Sequence, residues 1–91
     1  MLIREASNKF FIGETEETAL AEITFDIDQD MNLIINHTRV DISLRGHGIA
    51  EQLLEKVVEK ARTTKVKVVP ICSYAAKKMI GNEKYKDILL Y

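Results

Sequence analysis

Arg45-Gly46-His47-Gly48-Ile49-Ala50 sets two glycines one residue apart where an apolar, β-branched run stops and a helical repeat starts. Residues without a Cβ let a ligand approach the main chain, free N–H groups converge at a helix start, and the macrodipole adds partial positive charge there. The chemistry this supports is the binding of a phosphate or diphosphate. Two further side chains are candidates for covalent or proton chemistry. Cys72 is the single cysteine, open between a nucleophilic thiolate and a small buried hydrophobe. Histidine side chains in general titrate at about 6.5, which suits a base, and His37 is open between a general base and a histidine bonded within a sheet, because a shift of one residue in register changes its face.

The elements that must hold these residues are legible from periodicity. Lys9 to Ile12 reads as a first strand, ended by Gly13 and an acidic turn, with about seven residues before it. Ala19, Ala21, Ile23, Phe25 and Ile27 alternate with polar residues and predict a second strand. Asp28 to Asn32 has turn composition, and Leu33 to Val40 returns as the hairpin partner. From Gly48 to Thr63, Ile49, Leu53, Val57 and Ala61 recur at helical spacing, opposite a charged face. Val66 to Ile71 then reads as a strand parallel to Leu33–Val40, and Pro70, lacking an N–H, predicts interrupted or edge pairing there. Ser73 to Ile80 is a short helix closed by Gly81-Asn82, and Ile88 to Tyr91 is open between a last strand and packed coil. The expected fold class is α/β (α+β), with a mixed, mainly antiparallel sheet carrying one long and one short helix.

Ninety-one residues suit one domain spanning 1–91. Thirteen basic residues nearly cancel fourteen acidic ones, so no global field favours nucleic acid or an anionic membrane surface. No apolar run approaches the roughly 20 residues a membrane-crossing helix needs. A lone cysteine and an N-terminus without an apolar signal core make the cytoplasm the expected compartment. A dinucleotide fold would want an acid about 20 residues beyond the glycines, where Lys65 and Lys67 stand, and no Gly-Lys-Ser or Gly-Lys-Thr is present for a P-loop.

This order of elements and motifs resembles the acyl-CoA core of the GNAT superfamily of N-acetyltransferases. That family's signature runs Gln or Arg, two residues, Gly, one residue, then Gly or Ala, which Arg45, Gly48 and Ala50 match in order. The chain is most similar to the minimal single-domain branch, in which a His-Thr pair precedes the signature, as His37-Thr38 does, and a Pro-Leu-Cys-like segment follows the helix, as Pro70-Ile71-Cys72 does. Two departures stand out. A proline common before the signature is absent from Asp41-Ile42-Ser43-Leu44, and the closing His-Pro-Glu-Tyr-like segment is loosened to Asn82-Glu83-Lys84-Tyr85.

The resemblance implies a GNAT-like fold that binds acetyl-CoA as acetyl donor and an amine as acceptor. It implies main-chain pairing of Val40, Asp41 and Ile42 with the pantetheine arm, and a diphosphate held by amides of Arg45, Gly46, His47, Gly48, Ile49 and Ala50. The Arg45 side chain either adds a fixed charge or packs along the groove. Tyr74 is open between covering the pantetheine and packing on the sheet, and Lys77 and Lys78 between phosphate and solvent. The family places the thioester near Cys72, so acetyl transfer proceeds either through a Cys72 acetyl-enzyme or by direct attack of the amine, with His37 as candidate base. A non-catalytic acyl-CoA-binding module is the other function class. With few residues before the first strand, the acceptor site is expected to be open, suiting a large amine or completion by a second subunit. The expected state is a monomer or weak homodimer.

Overall fold

The computed structural model describes residues 2–90. Five strands, β1 (Arg4–Ala6), β2 (Lys9–Ile12), β3 (Ala21–Ile27), β4 (Leu33–Val40) and β5 (Val68–Pro70), form one sheet in chain order. All neighbours are antiparallel except β4 and β5. Helix α1 (Ile49–Thr64) makes the crossover between those two, and α2 (Ser73–Met79) follows β5. This is the mixed, mostly antiparallel sheet with one long and one short helix that the periodicity leads one to expect.

Helix α1 buries Ile49, Leu53, Leu54, Val57, Val58 and Ala61, a stripe slightly wider than the four-residue repeat in the sequence. Across from it, Ala21, Ile23, Phe25 and Ile35 are fully buried. Each large apolar side chain removed from water in this way contributes about 2 kcal/mol. Ala75 and Met79 of α2 and Tyr85 and Ile88 beyond it join the same core, so both helices lie on one face of the sheet. Tyr85 is fixed there by donating to Glu55 Oε2 on α1 at 2.5 Å, and Lys84 Nζ lies 3.2 Å from the same carboxylate.

Lys9–Ile12 is not the first strand. Arg4–Ala6 precedes it, pairing Arg4 with Phe11 and Ala6 with Lys9. The tail makes a single parallel bridge, Val68 with Leu89, instead of a strand; Tyr91, the last residue of the expected segment, lies outside the described residues. This bridge explains how Pro70 is accommodated. Val68 N–H donates outward to Ile88 O, so by the two-residue alternation the N–H that Pro70 lacks would also point outward, away from β4. Pro70 therefore keeps its register opposite Ile35.

One irregularity sets the site. Phe25 faces Ile35 but Thr24 faces His37, so Asn36 is an extra residue, a β-bulge in β4. The bulge reverses the alternation. Leu33 and Ile35 face the helices before it, whereas Thr38 and Val40, opposite the buried Ile23 and Ala21, face them after it. His37, opposite Thr24, is turned to the face that carries no helix. Asn36 is held in both directions: its Nδ2 donates to Asp26 Oδ2 at 2.9 Å, and its Oδ1 accepts from the Thr24 hydroxyl.

Candidate functional site

Strand β5 pairs with β4 only from Leu33 to Ile35. The N–H groups of Ile71 and Cys72 both converge on Ile35 O at 3.0 Å, and the chain then turns into α2. Beyond that point β4 runs on to Val40 with no strand among the described residues on its β5 side. Asp41 N–H donates to Leu20 O on the β3 side, so the carbonyl of the same trans peptide, Val40 O, points the other way, to the open edge. Arg45 Nε donates to it at 3.1 Å. Of the three positions expected to pair with an added strand, Val40 thus offers a carbonyl, Asp41 spends its N–H on the loop before β3, and Ile42 starts a short 3-10 turn (Ile42–Leu44). The Asp41 carboxylate caps that turn. It accepts from Ser43 Oγ at 2.5 Å and Ser43 N–H at 3.0 Å, and these bonds hold its carboxyl below the usual range.

The turn after it has the backbone that its glycines permit. Gly46 and Gly48 lie at φ of +85° and +70°, a region that side chains disfavour. Apart from its chain neighbours, no described residue lies within 4 Å of where a Cβ would stand on either, so both glycines face open space. Gly48 is the N-cap of α1 and has no side chain to cap it; the first intrahelical bond is Gln52 N–H to Gly48 O. The amides of Ile49, Ala50 and Glu51 therefore have no intrahelical acceptor, the situation in which a helix start takes an anion. His47 is exposed, so only its amide belongs to the turn.

A groove of about 320 Å³ joins this turn to the open edge. Val40, Leu44 and the turn residues Arg45, Gly46, Gly48, Ile49 and Ala50 line it, with Glu51 and, from α2, Tyr74 and Lys78, two residues left open by the sequence. Tyr74 Oη is buried yet has no hydrogen-bond partner among the described residues. Burial pushes its pKa above the ordinary tyrosine value, against the opposing charge of Lys78. Lys78 Nζ is engaged by Glu51 Oε1 at 2.9 Å. A larger hollow of about 670 Å³ lies where Leu2 and Ile3 approach Glu51, Glu55 and Glu59, and that many carboxylates disfavour a diphosphate.

Cys72 is half-buried at the N-cap of α2. Its Sγ accepts from Ala75 N–H at 3.3 Å and lies 3.5 Å from Thr38 Oγ1. The bulge brings Thr38 there and at the same step separates the two catalytic candidates: Cys72 meets the helix-bearing face of β4, whereas His37 is exposed on the other. No hydrogen bond joins them. The sequence places the glycine turn at the start of α1, Cys72 just after β5 and a parallel crossover between, as the structure has them; it does not show Thr38 as the cysteine's partner or Asn36 as the residue that pins the bulge, because nothing in a β-branched run marks which residue is extra. Among the described residues no helix is long and apolar enough to cross a membrane.

Comparison with known proteins bears on this arrangement. A family model described as GCN5-related N-acetyl-transferase matches residues 9–88. Among solved structures, the NMR structure of a GCN5-like protein from Staphylococcus aureus is 39% identical, with a TM-score of 0.79 over 98% of this chain and 87% of that one. The crystal structure of a predicted acetyltransferase with acetyl-CoA from Clostridium acetobutylicum is 19% identical, with a TM-score of 0.52 over 77% of this chain and 54% of that one, a likeness of fold. No curated protein matches the chain.

Proposed function

We propose, since this chain belongs to the GCN5-related N-acetyltransferase family, that it moves an acetyl group from acetyl-CoA to a primary amine. The observation that carries this reading is the uncapped start of α1, where two left-handed glycines face open space beside the unpaired edge of β4. Main-chain amides of Gly46, His47, Gly48, Ile49 and Ala50 hold the diphosphate, the Arg45 N–H donating to Ile42 O at 3.3 Å instead, and the edge at Val40, Asp41 and Ile42 lines the pantetheine arm. A fold neighbour crystallised with acetyl-CoA supports the choice of donor. The Arg45 guanidinium, bonded to Val40 O, stiffens the junction between edge and turn.

Along this line the thioester lies toward Cys72. Cys72 Sγ stands at the N-cap of α2, where it accepts from Ala75 N–H. Cys72 Sγ attacks the thioester carbonyl, the C–S bond to CoA breaks, and the departing thiolate takes up a proton equivalent to the one Cys72 lost. A neutral amine then attacks the Cys72 thioester; the C–S bond breaks, an amide forms, and the proton given up by the amine nitrogen is carried by water or His37 to the departing Cys72 sulfur, which regenerates the thiol. The acceptor in this reading is a large amine, such as a protein side chain or terminus. With its single cysteine reduced, the chain works in the cytoplasm.

A second reading, a module that holds acyl-CoA without turnover, is favoured by one observation: Cys72 Sγ is bonded to Thr38 and to Ala75 N–H, with no base on it. Release of free CoA thiol from acetyl-CoA, measured against a panel of amines, separates the two. Amine-dependent release supports the transferase; tight binding without release supports the module.

A further inference from the structure

Tyr74, which lines the groove, carries a hydroxyl that no described residue engages. Tyr74 Oη is buried with no partner among the described residues, a situation that costs about 1–3 kcal/mol for a hydroxyl and so is seldom kept without a reason. Its neighbours are informative. Tyr74 and Lys78 stand four residues apart on α2, hence on one face of it, and both line the groove together with the glycine turn. Lys78 is tied to Glu51, and that pair is exposed on both sides. Exposed pairs of this kind are weak and readily exchanged. A diphosphate arriving at the turn offers Lys78 a more highly charged partner than Glu51 does.

We propose that the Tyr74 hydroxyl is a binding group for CoA: its Oη–H donates to an oxygen of the ligand where the diphosphate joins the pantetheine arm, and the diphosphate competes with Glu51 for Lys78. This rests on the acetyl-CoA reading and adds to it a residue on α2, outside the signature turn and the β4 edge. Two consequences of opposite sign follow. In the free protein the hydroxyl is a liability, so its removal leaves the fold as stable or more so. In the complex it is a donor, so its removal weakens binding. A tyrosine whose hydroxyl merely supports the fold gives the reverse pattern, lower stability and unchanged affinity.

The test uses the full chain and Tyr74→Phe, titrated with CoA by calorimetry and melted without ligand. The expected result is a roughly fivefold weaker affinity, the size of one net hydrogen bond, with an unfolding temperature equal to or above that of the parent. Lys78→Gln should also weaken CoA, and its loss should shrink as salt is added, whereas the Tyr74→Phe loss should not. Equal CoA affinity of Tyr74→Phe and parent overturns the role of the hydroxyl and leaves the acetyl-CoA reading standing. Absence of CoA binding by the parent chain overturns both.

Discussion

Thr38 Oγ1 and Cys72 Sγ meet at 3.5 Å, although 34 residues separate them, because an extra residue in β4 turns Thr38 to the helix-bearing face at the point where β5 gives way to α2. Every functional assignment near the thioester end depends on that register. A strand without the bulge would put His37, not Thr38, beside the cysteine.

Asn36 pins the bulge through Asp26 and Thr24. Asn36→Ala is expected to cost about 1 kcal/mol, since part of the network is exposed to water, and to change the rate at which Cys72 reacts with a thiol reagent. Denaturant unfolding checks the first and a thiol-labelling time course the second; unchanged labelling would separate the bulge from the cysteine.

Cys72→Ala should abolish any acetylated form of the enzyme seen by intact mass after incubation with acetyl-CoA. His37→Ala should still form it but pass the acetyl group to an amine severalfold more slowly if the imidazole relays the proton through water from its face of β4; an unchanged rate would remove His37 from the reaction. If Cys72→Ala turns over at the parent rate, the amine attacks the CoA thioester directly.

Much of this was legible in the sequence, and the exceptions have physical causes. Strand β3 and helix α1 declare themselves because each has one buried face and a long enough repeat, as Ala21, Ile23, Phe25 and Leu53, Val57, Ala61 show. Arg4–Ala6 has three residues and no fully buried side chain, so it carries no alternation to read. The bulge at Asn36 is set by pairing across the sheet, which no single strand records. Tyr74 looked ambiguous because its role depends on what its hydroxyl fails to touch. Arg45 was open between charge and packing; in the fold its Nε bonds the edge carbonyl of Val40.

Acid should weaken the fold through Glu55. Burial pushes this carboxyl up, but the hydrogen bond from Tyr85 and the contact with Lys84 outweigh it, leaving it below the ordinary glutamate value. A carboxylate whose folded pKa is depressed contributes stability above its unfolded pKa of about 4.3 and loses it as pH falls through the folded value. Glu55→Gln is expected to flatten this limb in unfolding temperatures measured between about pH 3 and 5; an unaltered slope would assign it to other carboxylates such as Asp28, also lowered, chiefly by the Asn32 amide.

Lys65 closes α1 at φ +59°, where its Cβ is disfavoured. Lys65→Gly should raise stability by about 0.5–1 kcal/mol in denaturant titration without touching the groove, more than 10 residues away along α1. A loss of stability would mean that the lysine side chain matters more than its backbone strain.

The central claim is that main-chain amides of the glycine turn hold the diphosphate of acetyl-CoA, and amide chemical shifts recorded by NMR during a CoA titration test it most directly. The account predicts saturable shifts of the Gly46, Gly48, Ile49 and Ala50 amides, abolished by Gly48→Ala. Shifts confined to other parts of the chain, or none at all at millimolar CoA, would contradict it.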